Sequence, residues 1–232
     1  MKKIGILVFA AALLLSIFVS SFFSFGRIGT RIFSFSFGSG VRGSGRAASE
    51  SRDVTGFSGV DVGGVFQVEI VAGKEFSVQV EGDDNLVPLV KTEVRGGVLR
   101  IGTAQRVSPV NPLRVRISAP DIDTVDASGV AKVDLSGVKN NSFHIDTSGA
   151  SKISLNGETT NLKAEVSGAS FVNAEGLNAE NATVGASGAS HINVFAINRL
   201  EGDASGASRI VYSGNPKSVD KRSSGAGSVR EK

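Results

Sequence analysis

Asp121, Asp123 and Asp126 form the densest acidic cluster in the chain. In an extended segment Asp121 and Asp123 share one face, and such oxygen ligands suit a hard cation such as calcium. Calcium takes about six to eight oxygens, so the simpler reading is a solvated edge between two halves of the molecule. His144 and His191 lie 47 residues apart, on outward strand positions, and do not suggest one metal site. Asp146-Thr147-Ser148-Gly149 has the pattern of an aspartic-protease loop, but no second such loop supplies the partner carboxylate. Gly38 to Gly43 fits GxGxxG, yet no apolar helical run follows to present a helix N-terminus to pyrophosphate. It reads as part of a flexible Gly/Ser tether. Ser151, Ser170, Ser190 and Ser208 recur as a column and could meet sugar hydroxyls along one edge. Turn chemistry is their simpler role, so Ser190→Ala is expected to change little. These residues imply no catalytic, cofactor-binding or metal site.

What positions them is a repeat. Ser148-Gly149-Ala150-Ser151 returns at Ser167, Ser187 and Ser205, and in altered form at Ser128 and Ser224. Successive serines are 20, 19, 20, 18 and 19 residues apart, the mark of a repeat architecture. Five residues after each refrain Ser stand Val133, Ile153, Val172, Ile192, Ile210 and Val229, β-branched every time. Two further on stand Leu135, Leu155, Ala174, Val194 and Tyr212, with mostly polar residues between. This is a short strand with one buried face. Ser136-Gly137, Asn156-Gly157, Glu175-Gly176 and Ser213-Gly214 mark a second corner, which Phe195-Ala196 interrupts in one rung. A second strand, through Phe143, Leu162, Ala182, Leu200 and Val219, leads into each next refrain. Apolar positions recurring at this period should stack in columns. The expected fold is all-β: a right-handed parallel β-solenoid with rungs of about 19 residues. Ile192→Asp should unfold it.

Composition narrows the rest. Residues 1–52 hold seven Lys/Arg and one acid, a charge of +6; residues 53–232 hold 18 against 21, a charge of −3. The basic balance therefore belongs to the leader, and a nucleic-acid footprint is not expected. There is no Cys, so packing alone must hold the core. Ile4 to Phe23 is uncharged and apolar or small, behind Met1-Lys2-Lys3, so residues 1–23 read as a signal peptide or signal-anchor helix. Export to the periplasm or envelope is expected, with membrane contact through residues 4–23; cleavage or retention stays open. Residues 24–52 read as a Gly/Ser/Arg-rich linker.

Residues 53–120 read as a β-rich N-terminal half, with one short helix candidate over Asn85 to Lys91, and residues 121–232 as the regular array. The runs Phe57-Ser58-Gly59-Val60-Asp61-Val62, Val65-Phe66-Gln67-Val68-Glu69-Ile70, Val78-Gln79-Val80-Glu81-Gly82-Asp83-Asp84-Asn85-Leu86 and Gly97-Val98-Leu99-Arg100-Ile101, with the SGAS ladder, resemble the bacterial GIN-domain family. The resemblance covers about residues 53–230. It implies an exported, β-helical, non-enzymatic protein, an adhesin-like head or an envelope structural module. The ligand stays open, with an envelope glycan or an envelope protein among the candidates. Two alternatives are a polysaccharide-acting, lyase-like enzyme resting on Asp121 and Asp123, and a scaffold that self-assembles through the array ends. Charges in Val229-Arg230-Glu231-Lys232 speak against the latter.

Overall fold

Alternation of β-branched and polar residues, with glycines at the corners, leaves the chain little choice but strand. A computed structural model describes residues 40–232; the expected leader helix and the linker up to residue 39 lie outside the described residues. Its strands are β1 (Val41–Arg42), β2 (Ala47–Arg52), β3 (Gly59–Ala72), β4 (Ser77–Asp83), β5 (Val90–Arg95), β6 (Val98–Thr103), β7 (Val107–Ser108) and β8 (Arg114–Ala119). They continue as β9 (Thr124–Thr147), β10 (Lys152–Val166), β11 (Phe171–Ala186), β12 (His191–Ala204), β13 (Arg209–Ser213), β14 (Ser218–Ser223) and β15 (Ser228–Glu231). The fold is all-β. Among the described residues the only helical piece is a 3-10 turn, Val87–Leu89, inside the expected helix over Asn85 to Lys91; Pro88 lies in its first residues. With an apolar pair to bury, one turn is all this stretch sustains.

From β9 onward each strand pairs in parallel with its successor one repeat later. Ile153 lies between Val133 and Val172, and Val172 against Ile192, which faces Ile210. These five side chains are all fully buried. Thus one column holds the core together across five rungs. Leu135, Leu155, Ala174, Val194 and Tyr212 make a second, and Phe143, Leu162, Ala182 and Leu200 a third. The column extends one rung further than the refrain suggests, because β3 pairs in parallel with β9 and sets Val68 against Val133 and Gly64 against Gly129.

The refrain glycines stack as well. Gly149 has φ +83°, and a Cβ there would sit 2.5 Å from the carbonyl oxygen of Gly129. Only glycine allows both the left-handed backbone and this approach. The reward is a run of backbone bonds at the corner: Ala150 N–H donates to Gly129 O at 2.8 Å, Ala189 N–H to Gly168 O at 2.8 Å and Ala207 N–H to Gly188 O at 2.7 Å.

The N-terminal half is built differently. After Ala72 the chain leaves the stack. It returns as β6 and β8, which occupy the edge of β3 opposite β9: Val60 pairs with Leu99, and Val68 with Val115. Antiparallel strands then continue outward, β5 on β6, β4 on β8 and β2 on β4. The path through the large sheet runs from β15 to β2 and does not close. Residues 41–52, expected as tether, are therefore partly folded. β2 needs only backbone partners on the edge of β4, which explains why Ala47-Ala48-Ser49-Glu50-Ser51-Arg52 pairs without an apolar face. Within the GxGxxG stretch, Val41–Arg42 pairs with Val107–Ser108 and no helix follows.

Asp83 fastens this part. Its carboxylate, fully buried, accepts hydrogen bonds from the backbone N–H groups of Gly45 at 3.0 Å, Val110 at 2.8 Å and Asn111 at 3.2 Å, and from the Asn111 side-chain amide at 2.8 Å. Burial by itself would raise its pKa. The donors from Val110, Asn111 and Gly45 outweigh burial and hold the group below the ordinary carboxylate range.

Candidate functional site

The three aspartates do not converge. Asp121 is exposed, with the Asn140 amide 3.5 Å away. Asp123 precedes β9; its N–H donates to Ser58 O, just before β3, and its carbonyl accepts from His144 N–H. Asp126 lies on the strand itself, opposite Asp61, in a different column. Partial burial, and then the neighbouring Asp61 and Asp146 carboxylates, push the Asp126 pKa up, while His144 opposes them. Among the described residues no group of three or more His, Cys, Asp or Glu is placed to hold a metal ion.

His144 pairs with Lys163 across β9 and β10. His191 sits between Phe171 and Arg209, on another face. Its Nε2 lies 2.7 Å from Asn193 Oδ1, and its ring stacks on Phe171 at 5.4 Å. Thr147, within the protease-like tetrapeptide, is fully buried with an unpartnered hydroxyl, so it answers to the core rather than to a substrate.

The serine column takes the turn role, not the ligand role. Ser151, Ser170, Ser190 and Ser208 are each 2% exposed and cannot line a ligand edge. Ser190 Oγ donates to Val166 O at 3.0 Å and Ser208 Oγ to Ala186 O at 2.9 Å. Strand parity explains this. These residues stand two before the β-branched core column, and alternate residues share a face.

The outward positions make ladders instead. On one face Lys132, Lys152, Phe171, His191 and Arg209 succeed one another from rung to rung. The Lys152 ammonium lies 5.7 Å from the Phe171 ring centre. A second column carries Asp61 and Asp126, then Asp146, Glu165, Gly185 and Asp203. Arg100, 3.9 Å from Asp61, and Arg222, in register with Asp203 and ion-paired with Asp220 at 3.1 Å, bracket it. A groove of about 540 Å³ follows the later part of this acidic column.

A third face holds a wider groove of about 820 Å³. One wall is Lys139, Glu158, Asn178 and Phe195, in register on four successive rungs. The other is Asn141, Thr160, Glu180 and Ile197, each two residues further along its strand. Asn140 and Thr159 lie between, where Thr159 Oγ1 donates to Asn140 Oδ1 at 2.9 Å. Sequence reasoning missed this groove. Its signal was the Phe195-Ala196 interruption, read there only as a missing corner.

The sequence profile of the family described as "Putative auto-transporter adhesin, head GIN domain" matches residues 56–216. A solved structure named "putative adhesin" from Bacteroides fragilis is similar, with 18% identity and a TM-score of 0.70, covering 83% of this chain and 100% of that one. Another, named "Putative lipid binding protein" from Parabacteroides distasonis, has 19% identity and a TM-score of 0.54, with 83% and 99% covered. At such identities the likeness is one of fold. No curated protein matches the chain. The profile match spans more than half of the residues, and its segment carries both the detour and the stacked array: the chain belongs to the GIN-domain family.

Proposed function

We propose that this chain is an exported, adhesin-like binding module of the cell envelope that acts by presenting a surface rather than by catalysis. The array is, on this reading, a right-handed parallel β-solenoid, since parallel crossovers are overwhelmingly right-handed. Residues 1–23 supply the export signal or anchor, and residues 4–23 the membrane contact. One observation carries the proposal. Outward side chains succeed one another from rung to rung over a stack of buried columns, which gives a long surface. The name of the family and that of the Bacteroides fragilis structure agree with it, as adhesins.

The test is direct. Protease added to cells whose outer layer has been made permeable, with the inner membrane intact, should remove the folded domain, and the purified full-length chain should sediment with isolated bacterial envelopes. A chain that stays in the cytosolic fraction and ignores envelopes would refute the reading.

A further inference from the structure

The stack has one conspicuous irregularity. Between Ala174 and Asn178 the register with β12 jumps, so that Glu175, Gly176 and Leu177 have no partner there and Asn178 faces Phe195. Phe195 stands eight residues after its refrain Ser, where other rungs carry Ser136, Asn156, Glu175 and Ser213. A phenyl ring has replaced a polar corner residue. It is only half-buried, and nearby Ile197 is 42% exposed. Neither is needed outside by the core, whose columns run through Val194 and Ala196. Local departures from a consistent pattern are where function is to be sought.

The ring and Ile197 sit in the walls of the 820 Å³ groove, within the size range of ligand sites. The walls also carry hydrogen-bonding groups that the fold does not use. The side chains of Asn141, Thr160, Asn178 and Glu180 make no hydrogen bond among the described residues. Lys139 is spoken for, 3.1 Å from Glu158. The groove then keeps Asp121 and Glu180 as uncompensated carboxylates, which disfavours an anionic polymer.

We propose that this groove binds a neutral saccharide chain running along the stack. This rests on the adhesin-like reading and names its ligand class. Phe195 and Ile197 offer an apolar platform to the C–H face of a sugar ring. Asn141 and Asn178 each supply an amide donor and acceptor, Thr160 a hydroxyl, and Glu180 a charge-assisted acceptor for hydroxyl protons. The wall positions repeat at the inter-strand spacing of about 4.8 Å, so successive sugars meet one wall pair per rung, polar on three rungs and apolar at Phe195 and Ile197. The phenyl ring serves one subsite.

Calorimetry on the full-length chain, with chitotetraose, cellotetraose, xylotetraose, maltotetraose and tetragalacturonate as probes, tests this. At least one neutral tetramer should bind, and tetragalacturonate should not. Phe195→Ser installs the residue that its register partner Ser213 carries on the next rung, so the fold should survive. It should weaken binding about tenfold, and Glu180→Gln about threefold. Failure of every neutral tetramer at millimolar concentration, tighter binding of tetragalacturonate, or unchanged affinity in Phe195→Ser would each overturn the assignment. Sedimentation with envelopes, run in parallel, separates the two claims. Retention on envelopes without tetramer binding removes the groove and leaves the adhesin reading. Loss of both removes both.

Discussion

Residues 124–213 and residues 73–119 extend the same core by different chemistry. In the array each rung offers the same apolar positions, and its neighbours bury them; Val133, Ile153, Val172, Ile192 and Ile210 are interchangeable β-branched units. In the detour the chain has no such template. It closes one edge of the stack with antiparallel strands and ties a loop down through one buried carboxylate, Asp83, and four donors. Repetition spreads stability over many equivalent contacts. A polar anchor concentrates it in a few bonds, each costly to leave unmade. The array should therefore fail as a unit when its column is broken, and the detour should loosen by itself.

The largest effect is expected for Ile192→Asp. An unpaired charge in the middle of the column should cost more than about 4 kcal/mol, and thermal melts should show loss of the whole array. Asp83→Asn comes next and should act locally. Hydrogen exchange should quicken in residues 41–45 and 108–112 while β10 to β12 stay protected. Because the folded Asp83 pKa is lowered, its contribution is present above the ordinary carboxylate range and fades as pH falls through the lowered value. Melts of the parent chain against Asp83→Asn should converge in acid; a constant difference would contradict the anchor.

Ser190→Ala should cost about 1 kcal/mol. The Val166 carbonyl keeps the Ser187 N–H at 2.9 Å, so no acceptor is orphaned. The smallest effect is expected on the surface. Asp126 has a raised pKa, so its ionisation weakens the fold as pH rises past the ordinary carboxylate value. Asp126→Asn should raise Tm slightly at pH 7, less in high salt, and not at pH 4. A lowered Tm at pH 7 would mean that Asp126 makes a stabilising contact.

Much of the array was legible because its signals repeat. Six copies of a glycine corner and a β-branched column identify buried positions that no single rung would. The corner role of the serine column is legible in its turn chemistry, and parity with Ile192 sets its hydroxyls inside rather than along a ligand edge. The earlier rung at β3 was hidden because the detour separates it from β9, and because Gly63-Gly64 stands where later rungs have Ser-Gly. Pairing of β2 was invisible because an edge strand needs backbone partners more than an apolar face. The wide groove lay in a departure from the pattern, and a departure says nothing until register shows that Phe195 lies beside Asn178.

Parallel stacking one repeat apart underlies the core and every outward ladder, and a chain without Cys allows it to be measured cleanly. Ser154 and Asn173 are partners on adjacent rungs, half-exposed on one face. Paired strand residues lie within disulfide reach, whereas residues two rungs apart are about 9.6 Å away. Mild oxidation of Ser154→Cys/Asn173→Cys should give a quantitative intramolecular disulfide, and Ser154→Cys/Asn193→Cys should give none. Cross-linking of the second pair in preference to the first would contradict the stack, and with it the surface on which the proposed function rests.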